Sequence, residues 1–124
     1  MKGKICMENL ELFGQMLMKD VRDKSVEYAN WIVDGTVKAP SHVELYKKIE
    51  NCSEEQKEAI KTILRIVIDD CVFNLLDMLD QNPETFGIIV RGERKISLLH
   101  DEEDELHHAL FDWFDNYGEF EHYI

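Results

Sequence analysis

The sequence predicts a mainly α-helical α+β fold, built around one long central helix with one short antiparallel β-hairpin and a C-terminal amphipathic helix. Apolar residues recur every three or four positions over most of the chain, which is the period of an amphipathic helix. One stretch, residues 86–99, switches instead to a β-branched composition. An acidic run then precedes a last helical pattern.

The first helical pattern covers about residues 8–34. The polar stretch 19–25 leaves open whether this span is one helix or two. Gly35 follows the apolar pattern and is predicted to be the C-cap, since glycine adopts the left-handed conformation without strain. The apolar positions are Leu10, Phe13, Met16, Leu17, Val21, Tyr28, Ala29, Ile32 and Val33.

Two serines mark further helix starts. Ser41 has Glu44 three residues later, and Ser53 has Gln56 at the same spacing, so each pair predicts a capping box. The first box predicts a short helix that ends at Lys48. The second precedes a much longer apolar-periodic segment, which is the predicted central helix.

The central helix, about residues 53–80, carries one apolar stripe that is predicted to face the core. The stripe is widened by Ile68, Val72, Leu76 and Leu79, and Ile66 with Phe73 add a second contact face, so the helix is predicted to be covered on more than one side. Asn74 lies near the middle of the stripe and predicts a core hydrogen bond, because an unpaired buried amide costs roughly 1–3 kcal/mol. Arg65 and Asp69, four residues apart, predict an ion pair on the polar strip. The stripe consists of Ile60, Ile63, Leu64, Val67, Cys71, Leu75 and Met78.

Residues 86–99 predict the hairpin. Asn82-Pro83 stops the central helix, and Gly92-Glu93 separates two β-rich runs. Glycine at the first turn position favours a type II′ connection. A lone hairpin is marginally stable, so we expect it to pack on the helices.

The C-terminal segment changes charge abruptly. No Lys or Arg follows Lys95, whereas nine Asp and Glu residues lie between positions 101 and 121. Both tryptophans, Trp31 and Trp113, lie on or beside apolar stripes and are predicted to be core residues. The helical spacing here involves Leu106, Ala109, Leu110, Trp113, Phe114 and Tyr117.

Length and charge limit the function. A chain of 124 residues predicts a single domain, 1–124. The net charge of -12 disfavours nucleic acid and anionic membranes and favours a basic protein partner. Three cysteines without a C-x-x-C spacing are expected to be reduced, with Cys71 packed as a small apolar residue. No signal peptide or transmembrane pattern is apparent, so a cytoplasmic location is expected.

One cluster has the residue types of a metal site. His100–His108 contains Glu105-x-x-His108, the spacing used by di-iron carboxylate bundles, but no second copy is present. A metal-dependent enzyme that uses this cluster therefore remains an alternative. No nucleophile elbow, phosphate-binding loop or dinucleotide fingerprint occurs. We predict a non-enzymatic protein with no catalytic residue, no metal and no cofactor.

The last helix is instead predicted to be a binding surface. Its acidic residues and His108 point away from the apolar stripe at 100° per residue, and Phe111 also projects off that stripe. With Phe120 and Tyr123, Phe111 predicts an aromatic patch inside an acidic field. A homo-oligomeric structural or regulatory protein with the Phe111 region as its homodimer face is a further alternative. The predicted partner-binding residues are Asp101, Glu102, Asp104, Glu105, His108, Phe111, Asp112, Asp115 and Glu119.

The run Glu105-Leu106-His107-His108-Ala109-Leu110-Phe111-Asp112-Trp113-Phe114, after an apolar strand pair and an acidic loop, resembles the small acidic bacterial immunity proteins of polymorphic and contact-dependent toxin systems. The resemblance covers about the last third of the chain and rests on the helix pattern. It implies a cytosolic inhibitor that occludes a basic toxin or nuclease, its carboxylates replacing substrate phosphates. No chemistry is required of such an inhibitor.

Overall fold

The computed structural model describes residues 8–99 and 105–124 and confirms a mainly helical fold with one hairpin. Within those residues, no helix has the length and apolar character needed to cross a membrane. In chain order the elements are α1 (Asn9–Leu17), a π-helical segment (Met18–Asp23), α2 (Lys24–Asp34), α3 (Pro40–Lys47), α4 (Glu54–Gln81), β1 (Ile89–Arg91), β2 (Ile96–Leu98) and α5 (Leu106–Tyr117).

The first helical span continues from α1 into α2 without a loop, through the π-helical segment. This wider turn buries Met18 and Arg22, and π-helical turns often mark positions under a special constraint. Gly35 ends α2 in the left-handed conformation with φ 78°, which confirms the predicted C-cap.

The two predicted capping boxes have different outcomes. The Ser53 hydroxyl accepts a hydrogen bond from the Gln56 backbone N–H at 3.1 Å, and the Gln56 side chain accepts one from the Ser53 N–H at 2.8 Å, so this box is confirmed. The box at Ser41 and Glu44 is wrong. Helix α3 begins at Pro40, two residues before the start that a Ser41 N-cap predicts, and Pro40 needs no N–H partner in the first turn.

The hydrophobic core lies where α4, α5, α1 and the π-helical segment meet, beneath the end of β2. Trp113 is fully buried, as predicted, and its ring meets Phe13 edge-on at 5.8 Å. Gly14 gives this ring the room it needs on α1. The buried residues of this cluster are Leu17, Met18, Val72, Leu76, Leu99, Leu106, Ala109, Leu110, Trp113 and Phe114.

The predicted inward stripe of α4 is wrong. Ile63 and Val67 are 59% and 58% exposed, and Cys71 is also exposed. The buried face of α4 carries Val72 and Leu76, two of the residues predicted to widen the stripe, together with Asp69. Asp69 is drawn inward by the guanidinium of Arg22, and this contact turns the more apolar stripe outward.

Two further predictions fail for the same reason, since they assumed the other orientation of α4. Asp69 does not pair with Arg65, because it binds Arg22. Asn74 is exposed and donates a hydrogen bond to the carboxylate of Asp70 at 3.1 Å. Trp31 is not a core residue either: it is 47% exposed on α2.

The hairpin is confirmed, but its turn is not of type II′. Arg91 pairs with Ile96, so four residues connect the strands. Among the described residues only Gly35 has a positive φ, whereas a type II′ turn needs one at Gly92. Gly92 is needed for space, since a Cβ there would lie 1.8 Å from the Asn9 side-chain oxygen.

Asn9 anchors the hairpin to α1. Its side-chain N–H groups donate to the Val90 carbonyl at 3.4 Å, the Lys95 carbonyl at 3.1 Å and the Ser97 hydroxyl at 2.8 Å. These bonds support an isolated two-stranded sheet, which would be marginal alone.

Gly14→Ala tests the packing of Trp113. A Cβ at position 14 would lie 2.2 Å from the indole ring, so we expect the free energy of unfolding to fall by about 1–3 kcal/mol. Helix propensity alone would raise the free energy of unfolding by about 1 kcal/mol. The sign of the measured change therefore tells whether the contact with Trp113 or helix propensity dominates at this position. Urea unfolding provides the measurement, with Gln15→Ala on the exposed side of α1 as control. Stabilisation by Gly14→Ala would contradict the close contact.

Candidate functional site

The predicted binding residues that the structure describes share one side of α5 and the turn after it. Glu105, His108, Asp112 and Asp115 are all exposed, and Phe111 is 37% exposed beside them. Glu119, beyond the helix, is also exposed. We call these six residues the acidic face. The predicted residues Asp101, Glu102 and Asp104 lie outside the described part of the chain.

Few cations neutralise the acidic face. Glu105 lies 3.6 Å from His108, and Asp115 lies 3.4 Å from His122. Among the described residues, no Lys or Arg forms an ion pair with any of its four carboxylates. Their negative charges therefore add to one field directed at solvent.

The opposite side of α5 fixes how the acidic face is presented. Leu106, Ala109, Leu110, Trp113 and Phe114 are buried, as the sequence predicted. A helix packed by this stripe has one rotation about its axis, so the charged positions cannot turn away from solvent.

Asp80, at the end of α4, caps the start of α5. Its carboxylate accepts hydrogen bonds from the backbone N–H groups of Leu106 at 3.0 Å and His107 at 2.8 Å. The same carboxylate lies 2.5 Å from Nδ1 of His107. A carboxylate from another helix thus satisfies N–H groups that α5 cannot pair within itself.

Glu11, on α1, holds the other end of α5. Its carboxylate accepts hydrogen bonds from the Trp113 indole N–H at 3.3 Å and the Tyr117 hydroxyl at 2.8 Å. Burial and the adjacent Glu11 carboxylate raise the pKa of Tyr117 above its usual value. The stability from this contact is therefore fully present below about pH 10 and is lost as pH rises through the folded-state pKa.

Arg22 ties the C-terminal residues to the helices. Its guanidinium, fully buried, makes two bonds to the Asp69 carboxylate, at 2.7 and 3.1 Å. It also donates to the backbone carbonyls of Phe120 at 2.6 Å and Glu121 at 2.9 Å. The residues after α5 are therefore held by a charged group in the interior.

The predicted aromatic patch is divided. Phe120 and Tyr123 lie against the guanidinium of Arg65, at 5.4 and 5.8 Å from their ring centroids. Among the described rings, Phe111 meets Phe73, Phe114 and His122, but neither Phe120 nor Tyr123. Phe111 is thus the aromatic residue of the acidic face, and its ring packs against these three neighbouring rings.

Glu105, His107 and His108 are the described residues that could hold a metal ion, with donor atoms within 4.8 Å of one another. Asp80 orients His107 as carboxylates orient metal-binding imidazoles. The side chains of Glu105 and His108 are more than half exposed, however, so the cluster lacks the dry walls of a catalytic metal centre. His100, the other end of the predicted cluster, lies outside the described residues.

Two apolar grooves run along the helices. One, of about 470 Å³, lies between α1 and β1 and is lined by residues including Phe13, Met16 and Ile88. The other, of about 560 Å³, lies between α2 and α4 and includes Tyr28 and Ile68. Their titratable lining residues are Asp20, Lys24, Tyr28 and Arg91, none of which forms a nucleophile and base pair there.

No protein-family model, curated protein or solved structure matches this chain.

The polar residues that position α5 escaped the sequence prediction. Arg22, Asp80 and Glu11 bind groups that lie 26 or more residues away in the sequence. One residue in the sequence does signal a buried polar contact: Asp69 is a carboxylate among apolar residues in the middle of α4. Its spacing from Arg65 predicts a surface ion pair instead, which hides this signal.

Asp80→Ala tests the cap of α5. We expect the free energy of unfolding to fall by about 1–2 kcal/mol, because the cap and the contact with His107 are lost together. Amide hydrogen exchange at Leu106 and His107 should accelerate at the same time. Asp77→Ala is the matched control, since Asp77 lies 3.7 Å from His107 and is 42% exposed. Equal effects of the two substitutions would contradict the capping role.

Proposed function

We propose that this chain is a non-enzymatic, acidic protein-binding module of the cytoplasm, an immunity-type inhibitor that occludes the basic cleft of a toxin or nuclease. The observation that carries the proposal is the acidic face. It groups Glu105, Asp112, Asp115 and Glu119 on one exposed side without a Lys or Arg partner among the described residues.

The expected mechanism is electrostatic steering followed by occlusion. Carboxylates in a row attract a cleft lined by Lys and Arg, and they take the places of substrate phosphates there. A net charge of -12 adds to the long-range attraction. Because such attraction is screened over about 8 Å at physiological ionic strength, association should slow as salt is added.

Preorganisation supports the same proposal. The Asp80 cap, the bonds to Glu11 and the buried Trp113 all fix α5 before any partner arrives. A surface that is rigid in the free protein loses little conformational entropy on binding.

Phe111 suits the part of an anchor at the centre of the interface. Its ring is partly exposed, and Phe73 and Phe114 support it at centroid distances of 6.1 and 6.4 Å. Aromatic residues surrounded by charged ones are typical of the residues that dominate binding energy.

Charge reversal of Asp112 and Asp115 to Lys tests the proposal. The double variant changes the net charge from -12 to -8, because each substitution adds two units. We expect association with a purified basic toxin or nuclease domain that binds this chain to slow at least about tenfold at low salt, since steering is lost. Surface plasmon resonance measures the association rate constant directly.

The matched control reverses Glu27 and Glu50, two exposed acids on α2 and after α3, and reaches the same net charge. It should slow association much less, and circular dichroism should confirm that both variants keep their helices. Equal slowing by the two variants would mean that net charge alone matters. An unchanged rate for the α5 variant would show that the acidic face is not the interface.

A further inference from the structure

The outward side of α4 is an apolar surface that nothing in the described chain covers. It consists of Ile63, Val67, Cys71, Leu75 and Met78, all exposed, and we call it the α4 stripe. We propose that the α4 stripe pairs with the α4 stripe of a second copy, antiparallel, around a two-fold axis at Cys71. This inference is independent of the acidic face.

The size of the surface fits a dimer. Four large members of the stripe are 41–59% exposed, and Tyr28 and Leu45 in the adjoining groove are 44% and 51% exposed. Six such side chains, at roughly 100 Å² each, supply on the order of 600 Å² of the about 800 Å² per partner in a standard interface.

The chemistry of the stripe selects the occupant. None of its five residues is charged, and Asp70 at its margin is hydrogen-bonded to Asn74. A basic partner finds no row of carboxylates there, in contrast to the acidic face. A second α4 stripe offers the matching uncharged, apolar surface without burying an unpaired charge.

The stripe is also self-complementary. Val67 and Leu75 lie four residues on either side of Cys71, and Leu64 and Met78 lie seven residues on either side. A two-fold axis through Cys71 places Val67 of one copy against Leu75 of the other, and Leu64 of one copy against Met78 of the other. An isologous interface requires this kind of reciprocal contact. The part of α4 from Ile60 to Met78 is about 27 Å long, which is long enough for two helices to pack along it.

This arrangement brings the two Cys71 residues together. Packed helices lie about 8–10 Å apart, and each Cα lies about 2.3 Å from its helix axis, so facing Cα atoms are about 3.4–5.4 Å apart, a range that overlaps the span of a disulfide. A disulfide spans about 4.4–6.8 Å between Cα atoms. Cross-linking at Cys71 therefore reports the proposed register.

Sedimentation of the full chain gives the first test. We expect twice the 14.6 kDa of one chain, with dimerisation strengthened by salt because two copies of charge -12 repel each other. Val67→Glu should yield a monomer with unchanged helical circular dichroism. Ile89→Glu, at an equally exposed apolar site on β1, should remain a dimer.

Oxidation of single-cysteine variants gives the second test. Cys6→Ser with Cys52→Ser leaves only Cys71, and Cys6→Ser with Cys71→Ser leaves only Cys52. Diamide takes two electrons and two protons from a pair of thiols and leaves a disulfide. We expect rapid, nearly complete covalent dimer from the first variant and little from the second.

A wild-type monomer at every salt concentration would overturn the proposal. So would a dimer that survives Val67→Glu, or equal cross-linking through Cys52 and Cys71. None of these measurements involves a basic partner, so their failure leaves the proposed function of the acidic face untouched, and the reverse also holds.

Discussion

The buried ion pair between Arg22 and Asp69 is the contact on which the other features depend. Both side chains are fully buried, and they join helices 47 positions apart in the sequence through two hydrogen bonds. Burying two charges is expensive, and the cost is offset only if their remaining hydrogen-bonding groups are satisfied. The carbonyls of Phe120 and Glu121 and the carboxylate of Asp23 satisfy the rest of the guanidinium.

This pair has consequences on both sides of α4. On the inner side, Arg22 connects the π-helical segment, α4 and the residues after α5, and its guanidinium lies 5.0 Å from the Phe114 ring centroid. On the outer side, the rotation that buries Asp69 leaves Val67 and Cys71 exposed. The acidic face and the α4 stripe are therefore two separate surfaces, and the ion pair decides which side of α4 faces outward.

Local patterns predicted much of this fold. Ser53 with Gln56 marked the start of α4, and the spacing of Leu106, Leu110 and Trp113 gave both α5 and its buried side, because these signals lie within one helix. The rotation of α4 could not be predicted in this way. Counting apolar residues favoured the stripe with Val67, whereas a partner 47 residues away decided the outcome.

The same limit applies to the candidate site. The exposed positions of α5 followed from helical geometry, but their support by Asp80 and Glu11 depends on contacts between distant elements. The hairpin turn is a further example, since Asn9 occupies the space beside Gly92. Polar side chains that bind across the fold carry no periodic signal, so the sequence pattern does not identify them.

Comparing Asp69→Ala with Asp70→Ala in urea unfolding tests the central role of the ion pair most directly. The two carboxylates are neighbours on α4, but only Asp69 is buried against Arg22. We expect Asp69→Ala to lower the free energy of unfolding by about 3–5 kcal/mol, because it leaves a buried guanidinium without its counter-charge. Asp70→Ala should change it by no more than about 0.5 kcal/mol. Similar, small losses for both variants would contradict the dependence of the fold on Arg22 and Asp69.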